Sequence, residues 1–494
     1  MMVWRNYKIL FALAFCVTSL LEVKRCSFPA WLNHTDKADS ALTYRDLDQI
    51  KTSHKLVLLT ENSSTTYFIY KGLPMGYEYE MIDSFAHSMH LELDVVVVKN
   101  LDNIFKMLDN CEGDIAADNI TITNLRRKDV EFAAPLYNTR QVLIQRKPDN
   151  WQKLTTAQLE ATLVKDPIQL ADKQVYVRKG SSFYERLKDL SNEIGGRIDI
   201  VEIPGTETTE ELIGDVAKGK IDYTVADENV AKIVSGYYDN LDINTPVSFP
   251  QKIAWAVRRD SPDLMTALND WIKKEDKKKF TQIVYDKYFT DKQSALFRKH
   301  SEYFSLSGGK ISPYDELIKK YCGKVGWDWK LLAAQIYQES QFDPKAQSWS
   351  GAYGLMQMLP STSAQYNLDT SNTTAENSIA AGVNYLRQID NYWAKFIPDK
   401  NDRIPFDLAS YDVGVGHIID ARSLANKYGL DPNKWENNVA YFLLNESQPK
   451  YFNDPVVTFG YCRGQEAYQY VREILNRYSM YSNQVAYEST KPLQ

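Results

Sequence analysis

The sequence predicts a multidomain protein in which a two-lobed α/β module precedes a mainly α-helical domain. The chain has 494 residues, and because domains usually hold roughly 100–200 residues, two to four folding units are expected. Strand and helix patterns alternate over residues 55–288, which indicates βαβ units and largely parallel sheets. From Ser312 onward the apolar residues follow a helical period.

The α/β module is predicted over residues 50–290, with its pattern repeated once. Strands are expected at 55–60, 92–98, 114–117, 174–177, 198–203, 221–225 and 253–257, and helices at 77–89, 101–108, 183–190 and 207–217. Two α/β halves of this size indicate two lobes with a cleft between them.

Five short motifs of this module, at residues 76–81, 113–115, 123–126, 131–137 and 219–223, resemble those of the extracellular solute-binding proteins of the polar amino-acid type. The resemblance implies a periplasmic-binding-protein fold in which Arg126 grips a ligand carboxylate, a task that suits a planar guanidinium. It also implies that Asp227 meets an α-amino group. Ser181 lies at a predicted helix N-terminus, where backbone amides can bind an anion. The alternatives are a surface role for Arg126 and helix capping by Asp227.

The segment that follows is predicted to be a linker and then a catalytic domain. Residues 291–310 lack periodicity and end in a glycine pair, as linkers do. Helices are expected at 313–322 and from residue 327, the second with Asp328 as its N-cap and an end before Pro344. Glu339 then lies in the final turn, where the helix dipole and apolar neighbours raise a carboxyl pKa. A carboxyl group protonated near neutral pH suits a general acid. The domain is expected over 311–482, and a disordered tail over 483–494.

Residues 339–348, 351–360, 377–386 and 463–471 carry a second, more specific resemblance, to the soluble-lytic-transglycosylase domain. It implies a goose-lysozyme-like helical fold with Glu339 as catalytic acid/base. The substrate-binding residues that it implies are Ser348, Met356, Gln357, Tyr411 and Glu466. For Ser348 and Gln357 the alternative is hydrogen bonding within a local turn.

Asp412 departs from the pattern of that family, which usually has asparagine there. A carboxylate near Glu339 would raise the pKa of Glu339 by like-charge repulsion. Alternatively, Asp412 supplies a second carboxylate, which would favour hydrolysis.

Composition and cysteine spacing exclude several other classes. The formal charge of −6 argues against a nucleic-acid partner, which needs clustered Lys and Arg. No CxxC or Cys/His spacing indicates a metal, and no metal or cofactor is expected. Cys322 and Cys462 could form a disulfide in an oxidising compartment, or remain two separate buried thiols.

The N-terminus has the pattern of an export signal. Arg5 and Lys8 precede a largely apolar run of 13 residues, 9–21, whereas a membrane-spanning helix needs about 20. Residues 1–28 are therefore expected to be a signal peptide or N-terminal membrane segment. Cys16 leaves lipid anchoring open, although Phe15 is bulky for the position before a lipidated cysteine.

The order of signal, solute-binding-like module and catalytic domain resembles the membrane-bound lytic murein transglycosylases. The resemblance implies that the protein cleaves the MurNAc-β-1,4-GlcNAc bond of peptidoglycan glycan strands and leaves 1,6-anhydroMurNAc ends. It implies a periplasmic protein peripherally attached to, or anchored in, the outer membrane, with a muropeptide or amino-acid ligand at its N-terminal module. The alternatives are a lysozyme-type hydrolase on the same fold and a non-catalytic cell-wall or amino-acid-binding receptor.

Overall fold

The computed structural model describes residues 44–366 and 373–489. The expected export segment, residues 1–28, lies outside the described residues. Within the described ranges, no helix has the length and apolar character needed to cross a bilayer.

The N-terminal module contains fourteen short strands among its described residues. They are β1 (Lys55–Thr60), β2 (Phe68–Tyr70), β3 (Leu73–Met75), β4 (Glu92–Val97), β5 (Ile115–Ala116), β6 (Glu131–Phe132), β7 (Tyr137–Thr139), β8 (Gln141–Arg146), β9 (Gln174–Arg178), β10 (Asp199–Ile203), β11 (Tyr223–Asp227), β12 (Leu241–Pro246), β13 (Gln251–Ile253) and β14 (Ala256–Val257). Its α-helices are α1 (Leu47–Ser53), α2 (Tyr77–Ser88), α3 (Ile104–Asp109), α4 (Thr156–Thr162), α5 (Phe183–Ile194), α6 (Thr209–Ala217), α7 (Glu228–Val234), α8 (Pro262–Lys277), α9 (Phe280–Phe289) and α10 (Lys292–Lys299).

Each lobe is built on one five-stranded sheet. The strand order is β4-β1-β5-β14-β6 in the first lobe and β10-β9-β11-β8-β12 in the second. The βαβ strands pair in parallel, whereas β14 in the first lobe and β8 in the second run antiparallel to their neighbours. The sheets are therefore mixed rather than largely parallel, because the segments that cross between the lobes add reversed strands to both.

The two crossings between the lobes pair with each other. The outgoing strand β7 is antiparallel to the returning strand β13, in the register Tyr137 to Ile253. A paired two-stranded connection suits a hinge, since bending there moves whole lobes without breaking either sheet.

The expected linker is folded rather than extended. Residues 292–299 form α10, and Phe304 lies 2% exposed in the hydrophobic core. The hydroxyl of Ser305 accepts a hydrogen bond from the Ile69 amide, at 2.9 Å. The prediction of a linker over 291–310 missed these contacts because Phe304 and the apolar residues around it follow no regular period.

The C-terminal domain is built from helices joined by loops. Its α-helices are α11 (Asp315–Cys322), α12 (Trp329–Ser340), α13 (Pro360–Ser363), α14 (Ala375–Trp393), α15 (Lys400–Val413), α16 (Val415–Lys427), α17 (Ala440–Asn445), α18 (Pro449–Phe452) and α19 (Gly464–Ser489). Helix α19 continues to Ser489, into the segment predicted to be a disordered tail, and residues 490–494 lie outside the described residues. Cys322 and Cys462 are free thiols, the first half-buried and the second buried.

The last helix fastens the catalytic domain to the first lobe. The amide groups of Asn476 and Asn483 donate to the carbonyls of Leu93 and Val95 in β4, at 3.0 and 3.2 Å. The β2–β3 turn also reaches the catalytic domain, because the Gly72 carbonyl accepts a hydrogen bond from the Tyr481 hydroxyl at 2.9 Å.

Candidate active site

Glu339 occupies the last turn of α12, as the sequence predicts. Asp328 caps the start of this helix by accepting a hydrogen bond from the Lys330 amide at 3.0 Å. The helix ends at Ser340, and the next two residues, Gln341 and Phe342, take left-handed conformations with φ of 51° and 62°. This reversal of the chain leaves the Glu339 side chain at the edge of the helix bundle, facing a groove.

Tyr470 of α19 holds the Glu339 carboxyl group. Its hydroxyl donates to Glu339 Oε1 at 2.5 Å and accepts a hydrogen bond from the amide of Gln335 at 3.1 Å. Gln335 precedes Glu339 by one turn of α12, so the three side chains form a chain of hydrogen bonds between two packed helices. This arrangement fixes the orientation of the carboxyl group.

The surroundings of Glu339 favour its protonated form. Burial in the domain raises its pKa to about 8, the hydrogen bond from Tyr470 lowers it in part, and the charge of Asp412 raises it. The sequence predicted a raised pKa from the helix dipole and apolar neighbours. In the structure, burial is the largest cause.

A groove of about 540 Å³ opens in front of Glu339. Among the residues expected to bind substrate, Ser348, Gln357 and Tyr411 line it together with Glu339. The other lining residues are Ser350, Ala352, Met358, Leu359, Thr362, Tyr385, Asp412, Val413 and Gly414.

Ser348 and Gln357 also hold the loop that forms one wall of the groove. The Ser348 hydroxyl accepts a hydrogen bond from the Ala352 amide at 3.0 Å. The Gln357 amide group donates to the carbonyls of Ala346 and Gly354, both at 2.9 Å. The turn bonding proposed as the alternative role is therefore present, and both residues still border the groove.

Met356 does not lie in the groove, contrary to the prediction. Its side chain is 0% exposed and packs against Gly382 of α14, where a Cβ would come within 2.7 Å of it. Only its carbonyl faces the site, where it accepts a hydrogen bond from the Tyr411 hydroxyl at 2.7 Å. Met356 thus positions Tyr411 through its backbone.

Glu466 lies in a second, adjoining part of the groove. This part has a volume of about 720 Å³, and Tyr470 and Asp412 also line it. The Glu466 side chain is 72% exposed and lies 3.6 Å from the Arg463 guanidinium. Asp412 lines both parts, so Glu339 and its partner Tyr470 stand where the two parts meet.

The structure shows two neighbours of the site to which the sequence assigned no role. Tyr470 belongs to a recognised motif, but it lies 131 positions after its partner Glu339, so no local pattern indicates the contact. Tyr385 lies in another recognised run, and its ring centroid is 5.2 Å from that of Tyr411. Aromatic residues at helical spacing usually belong to a hydrophobic core, so the spacing of Tyr385 gives no indication that it borders a groove.

Asp412 is a carboxyl group with its own raised pKa. Burial and the neighbouring charge of Glu466 raise it to about 6. At neutral pH Asp412 is therefore mostly ionised, while Glu339 is mostly protonated. Because the two carboxyl groups differ in protonation at the same pH, Glu339 suits an acid and Asp412 suits a negatively charged neighbour.

The N-terminal residues expected to bind a ligand also come together. Arg126, Ser181 and Asp227 line one cavity of about 70 Å³ between the lobes. The Arg126 guanidinium donates to the carbonyls of Thr121 in its own lobe and Gly180 in the other, both at 2.9 Å. The bond to Gly180 joins the two lobes across a cavity that is smaller than the 300–1,000 Å³ typical of ligand sites.

Asp227 does not cap its helix with its side chain. It occupies the N-cap position of α7 without a side-chain capping bond, and its Oδ1 atom is buried without a hydrogen-bond partner. Burial raises its pKa to about 7, and the charge of Arg126 lowers it in part. An unsatisfied carboxyl oxygen beside a guanidinium suits a ligand that carries both an ammonium and a carboxylate group.

Fold and site together define a two-lobed binding module joined to a lysozyme-like catalytic domain. Residues 56–291 match the family of bacterial extracellular solute-binding proteins, family 3, and residues 316–434 match the transglycosylase SLT domain. Both resemblances seen in the sequence are thereby confirmed.

Whole-length relatives combine the same two parts. A membrane-bound lytic murein transglycosylase F of Desulfosudis oleivorans is 34% identical over 90% of this chain and 93% of its own. One of Shewanella woodyi is 32% identical over 82% of this chain and 80% of its own. The chain belongs to the membrane-bound lytic murein transglycosylase F family.

Solved structures similar to this chain cover about half of it. A P235GK mutant of ArgBP from T. maritima is 22% identical, with a TM-score of 0.42, over 49% of this chain and 99% of that one. The AbpA protein of Streptococcus pneumoniae, bound to L-arginine, is also 22% identical, with a TM-score of 0.41, over 51% and 99%.

Proposed function

We propose that this protein is a lytic transglycosylase that cleaves the MurNAc-β-1,4-GlcNAc bond of peptidoglycan with Glu339 as its acid and base. The observation that carries the proposal is the position of the Glu339 carboxyl, whose pKa is raised by burial, at the junction of the two groove parts. A glycan strand laid along both parts would place one of its glycosidic oxygens beside this carboxyl group. Membership of the family supports the same activity.

In the first step, Glu339 protonates the glycosidic oxygen and the C1–O bond breaks, which gives the muramyl ring oxocarbenium character. A pKa of about 8 keeps about nine-tenths of the carboxyl protonated at pH 7. Tyr470 holds the carboxyl in one orientation, which a proton transfer over hydrogen-bond distance requires.

In the second step, the C6 hydroxyl of the same ring attacks C1, and the ionised Glu339 removes the hydroxyl proton. The products are a 1,6-anhydroMurNAc end and a free GlcNAc hydroxyl, which keeps the donated proton, and the C6 hydroxyl proton returns Glu339 to its protonated form. One carboxyl group suffices because the nucleophile is part of the substrate. Intramolecular attack carries effective molarities of up to roughly 10⁵ M or more in well-oriented systems.

Asp412 has a supporting role in this scheme. Its ionised carboxyl raises the pKa of Glu339 and would stabilise positive charge on the muramyl ring. If Asp412 instead activated water, the products would be ordinary reducing ends. Product mass separates the two schemes, because an anhydro end lacks one water molecule.

Aromatic side chains near the groove suit sugar stacking. Trp349 is 98% exposed and lies between Ser348 and Ser350, which both line the groove. An exposed tryptophan next to a groove offers a flat apolar face to a pyranose ring. Replacing Trp349 with alanine should raise KM for glycan strands without altering the product.

The N-terminal module is proposed to bind a muropeptide or an amino acid between its lobes and to modulate the catalytic domain. Arg126 offers a positive group and Asp227 a negative one within the same cavity, as a ligand with a carboxylate and an ammonium group requires. The contacts of α19 with β4 connect this module to the helix that carries Tyr470. A ligand that changes the lobe arrangement can therefore bias the active site.

Arg126→Ala in the full chain tests this ligand site. Calorimetric titration with amino acids and muropeptides should show binding to the wild type. The affinity of the variant should be at least tenfold lower, because a charge-assisted hydrogen bond to the ligand is removed. Arg127→Ala is the matched control, because its guanidinium lies over the Phe132 ring at 5.8 Å rather than in the cavity. Equal affinities of both variants for every ligand would remove the assignment of Arg126.

The protein is proposed to be exported to the periplasm and held at the outer membrane. The basic start and short apolar run at residues 9–21 support export, and the relatives named as membrane-bound support attachment. Cell fractionation of the full chain, followed by high-salt washing of the membranes, separates peripheral attachment from an anchor.

A further inference from the structure

A cluster of three metal-ligating side chains lies beside the active site. His417 lies in the first turn of α16, Glu446 directly follows α17, and Cys462 lies two residues before α19. Their donor atoms all lie within 4.8 Å of one another. The Glu446 side chain is 0% exposed and Cys462 is 4% exposed, so the cluster is internal.

The cluster contains buried acceptor atoms that its protein partners do not satisfy. Both carboxylate oxygens of Glu446 are buried without a hydrogen-bond partner. Among the described residues, the only cationic side chain paired with Glu446 is His417, whose Nδ1 is 3.5 Å from Oε1. Charge-assisted bonds of this type usually close to about 2.7–2.9 Å. A buried carboxylate left in this state is costly.

A second acid in the same region is already satisfied. Asp420 is fully buried, and its oxygens accept the amides of Thr458 and Phe459 at 2.8 and 2.6 Å. The contrast with Glu446 is informative. Asp420 uses its oxygens to hold a loop, whereas Glu446 points two free oxygens at an imidazole nitrogen and a thiol.

We propose that His417, Glu446 and Cys462 bind one zinc ion. Imidazole nitrogen, carboxylate oxygen and thiolate sulfur are the zinc donors of proteins. In a tetrahedral zinc site, bond lengths of about 2.0–2.3 Å place neighbouring donor atoms roughly 3.3–3.7 Å apart. The observed limit of 4.8 Å therefore requires a contraction of about 1 Å, which side-chain rotation supplies.

The fourth position is open to water from the surface. The His417 side chain is 24% exposed, so this side of the cluster gives the ion its route of entry. Three protein donors and one water complete four-coordinate zinc. The cysteine binds as thiolate, and its proton leaves to solvent when the ion enters.

The proposed ion fastens both walls of the active-site groove. His417 is three residues after Gly414, which lines the groove, and Cys462 is four residues before Glu466, which lines its second part. A bond from zinc to each segment fixes the positions of Asp412 and Tyr470 relative to each other. The ion is a positioning element and takes no part in the proposed proton transfers.

No local spacing in the sequence indicates this site, because its three ligands are distributed over residues 417–462. Short spacings such as CxxC form when two ligands share one turn. Here each ligand comes from a different helix end, so only the fold brings them together.

Zinc binding by the purified full chain tests the proposal. After chelator treatment and dialysis, titration with Zn²⁺ and metal analysis should give one tightly bound ion per chain. Co²⁺ in place of Zn²⁺ should produce a thiolate-to-metal absorption band. Cys462→Ser and Glu446→Gln should each weaken zinc binding at least about tenfold, and the first should abolish the Co²⁺ band.

Two matched variants control for surface binding and general thiol effects. Cys322→Ser removes the half-buried thiol of the same domain, and His87→Ala removes an exposed histidine that lies 3.5 Å from Asp83. Both should bind zinc as the wild type does. Absence of a stoichiometric ion, absence of the Co²⁺ band in the wild type, or an unchanged zinc affinity of the Cys462→Ser variant would each overturn the proposal. The wild-type spectrum decides the matter even if a variant fails to fold.

Discussion

Replacing Glu339 with glutamine should stabilise the folded protein, and increasingly so as pH rises. Glutamine imitates the protonated carboxyl and cannot ionise. In the wild type, the unfolded chain loses the Glu339 proton near its ordinary pKa of 4.5, whereas the folded chain keeps it up to about pH 8. Ionisation therefore favours unfolding progressively between these two pH values.

The size of this effect follows from the two pKa values. With 4.5 for the unfolded and about 8 for the folded chain, the wild type loses roughly 0.8 kcal/mol at pH 5 and roughly 3 kcal/mol at pH 7 relative to a form that cannot ionise. The side chain is partly exposed, and solvent screening lowers both figures. The difference between the two pH values is expected to be roughly 1–2 kcal/mol.

Hydrogen exchange of α12 peptides in increasing urea measures this stability in the catalytic domain of the full chain. The variant and the wild type are compared at pH 5 and at pH 7. Glu316→Gln is the matched control, because that side chain is 82% exposed and its replacement should give the same small difference at both pH values. An equal effect of Glu339→Gln at pH 5 and pH 7 would refute the assignment of a protonated Glu339.

Three further predictions concern the active site and its attachment to the module. The rate of solubilisation of purified sacculi should fall about tenfold per pH unit above pH 8 as Glu339 ionises. Asp412→Asn should move this fall to lower pH, because the charge of Asp412 raises the pKa of Glu339. Tyr470→Phe should reduce kcat by roughly tenfold, which corresponds to the loss of one charge-assisted hydrogen bond. It should also move the alkaline fall in rate to higher pH, because that hydrogen bond lowers the pKa of Glu339. An unchanged pH–rate profile would contradict this role of Tyr470. Gly72→Ala should destabilise the chain by roughly 1–3 kcal/mol in thermal unfolding, because Gly72 has a φ of +78° and an added Cβ would lie 2.7 Å from a phenylalanine ring of the catalytic domain. Gly195→Ala is the control for backbone strain alone, since Gly195 has a φ of +64° and an added Cβ would have no atom within 4 Å. Equal destabilisation by both substitutions would contradict a role for the contact with the catalytic domain.

Local sequence signals predicted the element that carries the proposed catalytic residue. Asp328 marks the helix start and Pro344 limits its end, and these two signals place Glu339 in the last turn, where the structure has it. Such signals depend on a few neighbouring residues, so they can be interpreted without knowledge of the fold. The βαβ alternation predicted the two lobes for the same reason.

Features that depend on long-range contacts were missed or wrong. The antiparallel strands of each sheet come from chain crossings between the lobes, which no local period encodes. Met356 has the residue type of a groove wall but is enclosed by α14, and burial of this kind is decided by the partner helix. Tyr470 and the proposed zinc ligands are brought to their positions by folding alone.

The most direct test of the proposed chemistry is mass analysis of the products released from purified sacculi by the wild-type chain. The account predicts muropeptides with 1,6-anhydroMurNAc ends, each one water molecule lighter than the hydrolysis product, and none from Glu339→Gln. Ordinary reducing ends from the wild type, or continued release by the variant, would contradict it.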